Sequence, residues 1–302
     1  MKTIVIGDLH GDYRGLRAIL RATGAVGEDG ARVADTRIIQ IGDLIHGGRP
    51  ELPARSGVDD DRCAIEALLV CDSILLGNHE LPLVFPEAGF PAFAGMGRLA
   101  EATFRALRDA WHAGRLRAAT AHEGWLLTHA GLHHRRRRAA VLPGDAAEVA
   151  FRLGLAFSRR VESGQADPLF DAIGPARGGR SDVGGIFWCD WSELAACYDQ
   201  GPGVSQIVGH TPGIAPTLKA RGGDHASPVG TLWCVDVGAA LSGFVAALVQ
   251  DESGTAWRPV VARSAWGRAG ACVAGAASRA GGRPGGGATS TRSFRPHCAM
   301  AG

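Results

Sequence analysis

Residues 3–11 read Thr3-Ile4-Val5-Ile6-Gly7-Asp8-Leu9-His10-Gly11, an apolar run that stops at a glycine and passes into polar side chains. A short apolar run with β-branched residues is typical of a buried strand. A glycine at its end lets the backbone turn sharply away from the strand. The stretch therefore predicts that Asp8 and His10 lie at the carboxyl end of a strand.

The same arrangement recurs twice further along the chain. The run Arg37–Ile41 stops at Gly42-Asp43, and the run Ser73–Leu76 stops at Gly77-Asn78-His79-Glu80. Helix-like segments separate the three runs, and such a βαβαβ rhythm is typical of a largely parallel sheet. Because parallel strands end at the same edge of a sheet, we expect the polar residues of all three segments to lie together.

The remainder of the chain is predicted to add a second sheet. Residues 97–113 suit a helix, and from Gly124 the sequence changes to β character. The predicted strands are Trp125–Thr128, Ser205–Val208, Thr231–Val237, Phe244–Val249 and Trp257–Ala262. An α/β fold with a second sheet packed on the first is the simplest architecture for this pattern.

The chain is predicted to divide into a folded domain, residues 1–263, and a Gly/Ala/Arg-rich tail, residues 264–302. The middle of the tail reads Arg279-Ala280-Gly281-Gly282-Arg283-Pro284-Gly285-Gly286-Gly287. Such a composition buries too little apolar surface to offset the entropy lost on ordering. We therefore expect the tail to be disordered.

Charge and hydropathy argue against two kinds of partner. The net charge of +2 comes from 32 basic and 30 acidic residues, but five of the arginines lie in the tail, so the predicted domain is slightly acidic. A dedicated nucleic-acid-binding face is therefore not expected. No run of 18 apolar residues is present, so we expect no membrane partner.

The cysteines indicate the compartment. They are Cys63, Cys71, Cys189, Cys197, Cys234, Cys272 and Cys298. An odd number without a Cys-x-x-Cys pair argues against a disulfide framework and a zinc-thiolate site, and for a reducing environment. The N-terminal apolar run is too short for a signal peptide. These features predict a cytoplasmic protein.

Polar motifs stand at the ends of five predicted strands. They are Gly7-Asp8-Leu9-His10-Gly11, Gly42-Asp43, Gly77-Asn78-His79-Glu80, Thr128-His129-Ala130-Gly131 and Gly209-His210-Thr211. Together they offer carboxylates, a carboxamide and imidazoles without thiolates, a ligand set that suits divalent Mn, Fe or Zn. Turn formation alone would not require histidines at these places, so the motifs predict a metal centre.

With these motifs the sequence resembles the calcineurin-like metallophosphoesterase superfamily, and within it the bacterial phosphoprotein phosphatases and diadenosine tetraphosphatases. Their pattern is Gly-Asp-x-His-Gly, Gly-Asp-x-x-Asp-Arg-Gly, Gly-Asn-His-Glu and two later histidines, and the resemblance spans roughly residues 3–250. It implies a four-layer αββα sandwich, two packed β-sheets flanked by helices. It also implies a dinuclear metal site at the strand ends.

The resemblance implies a role for each matching residue. The implied metal ligands are Asp8, His10, Asp43, Asn78, His129 and His210. Asp8 and His10 would bind the first ion, Asp43 would bridge both, and the others would complete the second. His79 matches the family's catalytic imidazole, which gives a proton to the leaving oxygen. The implied reaction is in-line attack by a metal-bridging hydroxide, with manganese as the expected activating ion.

The sequence departs from the protein-phosphatase pattern after Asp43. His46 stands where the family has a second Asp that orients the catalytic imidazole, and Gly47 stands where it has an Arg that clamps phosphate. His46 is a candidate substrate ligand in place of that arginine. Arg49, Arg177 and Arg180 are alternative sources of the missing guanidinium.

Three functions remain open at this point. The first is a phosphomonoesterase, with Ser/Thr phosphoproteins as one substrate class, and the second is a hydrolase of nucleotide polyphosphates such as diadenosine tetraphosphate. The run His133–Arg138 either receives such a polyanion or forms a solvated basic face. The third is a catalytically weak scaffold that binds a phosphorylated partner, which only the departure at residues 46 and 47 supports.

Overall fold

The computed structural model describes most of the chain. The described residues are 1–45, 59–92, 96, 98–197, 204–213, 215–220, 231–250, 252, 254 and 256–264.

Strands occupy both ends of the described chain and its middle. They are β1 (Lys2–Ile6), β2 (Thr36–Gln40), β3 (Ser73–Leu75), β4 (Leu116–Arg117), β5 (Ala119–His122), β6 (Trp125–Thr128), β7 (Ser205–Val208), β8 (Thr217–Ala220), β9 (Thr231–Cys234), β10 (Phe244–Gln250) and β11 (Trp257–Arg263).

Helices lie between most of the strands. They are α1 (Tyr13–Ala22), α2 (Asp60–Val70), α3 (Glu80–Val84), α4 (Glu101–His112), α5 (His134–Ala139), α6 (Ala146–Ser163), α7 (Pro168–Asp171), α8 (Trp191–Cys197) and α9 (Ala239–Ser242). Single 3₁₀ turns form at Pro86–Ala88 and Pro175–Arg177.

The first sheet has the strand order β11-β10-β1-β2-β3-β4. Strands β1 to β4 run parallel, as the βαβαβ rhythm predicts. The assignment of the two last strands to the second sheet is wrong, because β10 pairs antiparallel with β1, with Ile4 opposite Val249, and β11 follows β10. Strand β10 is buried along nearly its whole length, which explains its continuous apolar sequence.

The second sheet has the order β5-β6-β7-β9-β8 and packs on the first. Side chains from both sheets fill the space between them: Val5, Ile39, Ile41, Leu75, Leu127, Ile207, Trp233, Val235, Val237, Ala246, Leu248 and Trp257. Helix α1 covers β10 and β11 on the outer side of the first sheet, and α6 covers β5 and β6 of the second. The architecture is the two-sheet sandwich flanked by helices that the resemblance implied.

Helix α6 is the longest of the described helices and has no counterpart among the predicted elements. Asp145 caps its start by accepting hydrogen bonds from the backbone N–H groups of Ala147 and Glu148 at 3.0 Å each, and Gly164 ends it in a left-handed conformation. Val149, Leu153 and Phe157, at helical spacing, are buried. These are ordinary helix signals, so the sequence carried the information.

Ser264, the first residue of the predicted tail, packs against the folded part of the chain. Its side chain is buried and its hydroxyl donates to Asp12 Oδ1 at 2.8 Å. Residues 265–302 lie outside the described residues. None of the described helices combines the length and apolarity needed to cross a membrane.

Candidate metal centre

The motifs come together where the strands end. Asp8, Asp43 and Asn78 follow β1, β2 and β3 of the first sheet, while His129 and His210 follow β6 and β7 of the second. These strands are parallel neighbours within each sheet, so their polar ends lie along the same edge. All five side chains are buried, at 0–8% exposure.

Asp43 lies between two groups of imidazoles. Its Oδ2 is 3.7 Å from His10 Nε2 and 3.8 Å from His79 Nε2. Its Oδ1 is 3.5 Å from His129 Nε2. Two candidate metal-binding groups therefore share this carboxylate: His10, Asp43 and His79 form one, and Asp43, His129 and His210 form the other.

The second group brings the side chains of Asn78, His129 and His210 into contact. His129 Nδ1 lies 3.1 Å from the Ile41 carbonyl oxygen, and that hydrogen bond places the ring proton on Nδ1. The lone pair on Nε2 then faces Asn78 Oδ1 at 3.0 Å and His210 Nδ1 at 3.2 Å. Burial lowers the pKa of His129 to about 3, so the ring stays neutral. In the His210 tautomer that carries its proton on Nε2, the three facing atoms all accept, and a cation among them would turn their repulsion into coordination.

The first group is the more open side of the site. The His10 side chain is 15% exposed and that of His79 9%, and their rings meet edge to face with centroids 4.8 Å apart. Asp8 belongs to neither three-residue group. Its carboxylate accepts a hydrogen bond from the His210 backbone N–H, at 3.1 Å to Oδ2, so it ties the β1 end to the β7 end.

Crowding of buried carboxylates favours their neutral forms. Burial, followed by the charges of Asp236 and Asp43, raises the pKa of Asp8 well above its usual value. Burial, followed by Glu80, does the same for Asp43. Burial also raises the pKa of Asp236 to about 6. Divalent cations would offset these repulsions, so the donor set and its electrostatics fit the two metal ions that the resemblance implied.

Backbone strain is concentrated at this site. His10, Asp43 and His210 have positive φ angles of 46°, 53° and 68°, a region that non-glycine residues rarely adopt. Glycines permit the close approach of the loops, because a Cβ on Gly77 would collide with Asp43 Oδ1 and one on Gly209 with Asp8 Oδ1. The chain therefore holds these side chains in an arrangement that packing alone does not favour.

Glu80 holds the backbone of the loops that carry the candidate site residues, a role that was not predicted from the sequence. It is fully buried. Its Oε2 accepts from the backbone N–H groups of Asp43 at 2.9 Å and Gly77 at 2.7 Å, and its Oε1 from that of Ile45 at 3.1 Å. Burial raises its pKa to about 7 despite these bonds. In the sequence, the only indication of this supporting role is that Glu80 is the fourth residue of the Gly-Asn-His-Glu motif.

The structure describes only some of the candidate phosphate ligands. His46 and Arg49 lie outside the described residues. Arg180 is exposed, with no hydrogen bond or ion pair of its side chain in the described part of the chain. Arg177, three residues earlier, contacts the loop that carries His210.

The basic run at 133–138 forms the start and body of α5. Arg136 donates to Asp182 Oδ1 at 2.7 Å and to the Val183 carbonyl, and Arg137 donates to the carbonyls of Leu142 and Gly144. Those two arginines are thus occupied within the fold. Arg135 and Arg138 are exposed.

Two packed sheets that place two imidazole–carboxylate groups around a shared aspartate define a protein with a candidate dinuclear metal centre. The chain belongs to the calcineurin-like phosphoesterase family, whose model matches residues 1–212. It is therefore a phosphoester hydrolase of a family that depends on two metal ions.

Solved structures of phosphatases share the fold. A cold-active protein tyrosine phosphatase matches at 15% identity with a TM-score of 0.54, covering 86% of this chain and 75% of the other. A cold-active protein-tyrosine phosphatase of a psychrophilic Shewanella species matches at 14% identity with a TM-score of 0.52, covering 86% and 77%. At such identities the likeness concerns the fold alone. No curated protein sequence matches the chain.

Proposed function

We propose that the protein hydrolyses phosphate monoesters with two divalent metal ions, manganese being the activating ion. The observation that carries this proposal is Asp43, whose two carboxylate oxygens face separate groups of imidazoles. A carboxylate so placed suits a bridge between two ions. When bound, such ions lower the pKa of water and neutralise charge on phosphoryl oxygens.

The proposed ligands divide between the two positions. Asp8 and His10 serve the first ion, and Asp43 serves both. The second ion takes Asn78, His129 and His210, whose ligand atoms lie within 3.2 Å of one another. In this arrangement the Ile41 carbonyl orients His129 through its Nδ1, as backbone carbonyls commonly do for metal-bound histidines.

His79 is proposed to hold the proton that the leaving oxygen receives. Its ring is on the more open side of the site, and its backbone N–H donates to Asp43 Oδ1 at 3.1 Å. That bond fixes the loop from which the imidazole projects. A general acid must reach the leaving oxygen, and the partial exposure of His79 is compatible with that need.

A substrate panel at fixed Mn²⁺ tests the proposal and its alternatives. It contains p-nitrophenyl phosphate, a phosphoserine peptide, a phosphotyrosine peptide and diadenosine tetraphosphate. We expect hydrolysis of monoesters that stops with EDTA. Cleavage of the dinucleotide alone would favour the nucleotide polyphosphate alternative. The absence of any EDTA-sensitive turnover would favour the scaffold that binds phosphorylated partners.

Asp43→Asn tests the bridging carboxylate. Loss of one negative charge between the two groups should lower the metal content from about two ions per chain to one or none and abolish turnover. Mass spectrometry of the metal-loaded protein measures the content. Asp109→Asn, an exposed position on α4, is the matched control and should keep both ions. Two ions retained in Asp43→Asn would refute the bridge.

A further inference from the structure

Arg177 is held against the chain that carries His210. It ends the 3₁₀ turn Pro175–Arg177, and its Nη2 donates to the His210 carbonyl at 2.9 Å and to Thr211 Oγ1 at 2.7 Å. Its Nε lies 2.9 Å from Asp190 Oδ2 in an ion pair. Three contacts therefore fix a guanidinium group next to a proposed metal ligand.

Asp190 and Thr211 are themselves fixed. Asp190 Oδ1 accepts from the Ser192 backbone N–H at 2.8 Å and from its hydroxyl at 2.6 Å. Thr211 Oγ1 accepts from the Trp191 backbone N–H at 3.0 Å and lies 3.4 Å from Asp190 Oδ2. The start of α8 thus anchors the carboxylate that orients Arg177. An arginine held in this way loses less entropy when it binds an anion.

One end of the guanidinium remains available. Nη1 of Arg177 donates to no atom in the described part of the chain, and the side chain is 27% exposed. The charge of Arg177 acts on two of the proposed metal ligands. After burial, it is the largest influence that lowers the pKa of His210. It also lowers the pKa of Asp43 and so partly counteracts the effect of burial on that carboxyl group. The group is therefore a preoriented, partly exposed cation beside the His210 side of a buried acidic site.

We propose that Arg177 binds a phosphoryl oxygen of the substrate through Nη1, and that Asp190 is the residue that positions it. The inference rests on the proposed phosphoesterase function and names a residue outside the motif that the family uses. Position 47, where the resemblance leads us to expect an arginine, is a glycine. The guanidinium would here come from the segment before α8 instead.

The expected effect follows from charge-assisted hydrogen bonding. A guanidinium–phosphate contact is among the strong hydrogen bonds of proteins, and its loss should weaken phosphate binding by about 10- to 100-fold. Arg177→Lys keeps the charge but not the fork of donors, so it should recover only part of the affinity.

Binding of inorganic phosphate is the readout, because it does not require turnover. Calorimetry on the Mn²⁺-loaded protein should give a weaker Kd for Arg177→Met, with metal content and melting temperature close to wild type. Arg21→Met, at an exposed position in the last turn of α1, is the matched control. In Arg177→Ala, millimolar guanidinium should restore phosphate affinity, which a merely structural arginine would not show.

Asp190→Asn tests the positioning residue. Loss of the ion pair should leave metal content unchanged. It should raise KM for p-nitrophenyl phosphate by about 3- to 10-fold and lower kcat by a smaller factor. A variant that loses metal and melts early would instead show a structural role for Asp190 and overturn its assignment.

The outcomes separate this inference from the proposed function. If the wild type hydrolyses monoesters but Arg177→Met binds phosphate as tightly as wild type, Arg177 is not the phosphate ligand and the proposed function stands. A loss seen in Arg180→Met and not in Arg177→Met would transfer the role to that neighbour. If the wild type turns over no ester yet Arg177→Met weakens phosphate binding, the phosphoesterase proposal fails and the assignment of Arg177 stands. A metal-loaded wild type that binds no phosphate overturns the assignment.

Discussion

At the residue scale, one backbone carbonyl decides what an imidazole in this site can do. The Ile41 carbonyl oxygen accepts a hydrogen bond from the Nδ1–H of His129, so Nε2 presents a lone pair to Asn78 Oδ1 and His210 Nδ1. Without that carbonyl the His129 ring could adopt either tautomer, and Nε2 could donate a hydrogen bond to Asn78 Oδ1 instead of presenting a lone pair. The chain at the end of β2 therefore supplies Asp43 and also selects the tautomer of a proposed ligand on the other sheet.

His79 is proposed to act as the general acid, and this role can be distinguished by experiment from metal binding. As the general acid it should matter most for leaving groups that need a proton, with a contribution of typically about 10²–10⁴-fold. His79→Asn should therefore slow the hydrolysis of an alkyl phosphate far more than that of p-nitrophenyl phosphate. The measurement is kcat for both substrates at constant Mn²⁺.

The geometry also offers a contrary outcome for His79. Its Nε2 lies with His10 and Asp43 in one of the two candidate metal-binding groups. If His79 is a metal ligand, His79→Asn should lower metal content and slow both substrates equally. Metal analysis of the variant, together with the substrate comparison, tells an acid from a ligand.

The position of the candidate site residues at the strand ends could be predicted from the sequence because the motifs are local. Asp8, Asp43 and Asn78 each follow an apolar run, and parallel strands bring such ends together. What Glu80 does was not predictable in the same way. Its three partners are the backbone N–H groups of Asp43, Ile45 and Gly77. Nearly every residue has a backbone N–H group, so no residue type in the sequence identifies these partners.

At the scale of elements, Glu80 joins the ends of β2 and β3. A carboxylate can accept from three N–H groups at once, whereas a carboxamide has one oxygen and would turn its own N–H₂ toward a donor. Glu80→Gln should therefore destabilise the fold by about 1–3 kcal/mol, the cost of an unsatisfied buried group. Denaturant unfolding measures this free energy.

Because Glu80 also holds the backbone of Asp43, the same variant should bind metal more weakly. Glu87→Gln is the control, since the Glu87 side chain is 55% exposed and pairs with Arg108 at the surface. An unfolding free energy of Glu80→Gln equal to that of Glu87→Gln would contradict the supporting role.

The elements differ in how far the sequence reveals them. Strands β1, β2, β6 and β7 are short apolar runs with clear ends, and the prediction placed each within a residue or two. The position of β10 beside β1 was not predictable, because the partners are more than 200 residues apart and either sheet could accept an apolar strand. Long-range pairing depends on tertiary packing, which local patterns do not report.

At the scale of the whole molecule, the candidate metal centre draws its side chains from both sheets. Asp8 and Asp43 come from the first sheet and His129 and His210 from the second, so ions held by both sets would also hold the sheets together. A ligand that binds only the folded state stabilises it by mass action. Metal binding should accordingly raise the melting temperature of the entire domain rather than order one loop.

This coupling should depend on pH, with a sign that the buried carboxylates set. Burial raises the pKa of Glu80 to about 7 and raises those of Asp8 and Asp43 well above their usual value, whereas the unfolded chain ionises all three near pH 4. In metal-free protein the folded state therefore holds protons that the unfolded state has lost. Stability present at lower pH is lost as pH rises through the folded pKa values.

The carboxylate effect should be measured between pH 6.5 and pH 8, where the opposing histidine effect is small over most of the range. Burial lowers the pKa of His129 to about 3 and that of His210 well below its usual 6.5, so both rings are neutral in the folded state throughout the window. Their opposite effect, a loss of stability as the unfolded imidazoles take up protons near pH 6.5, is confined to the lower part of the window and is nearly absent above about pH 7.5. We therefore expect the melting temperature of EDTA-treated protein to fall between pH 6.5 and pH 8.

Because Mn²⁺ neutralises the ionised carboxylates, its stabilising effect should be larger at pH 8 than at pH 6.5. Asp43→Asn, which removes one of the raised carboxyl groups, should flatten the decline. A metal-free melting temperature that holds steady or rises across the window would show that these carboxylates do not carry the proposed proton linkage.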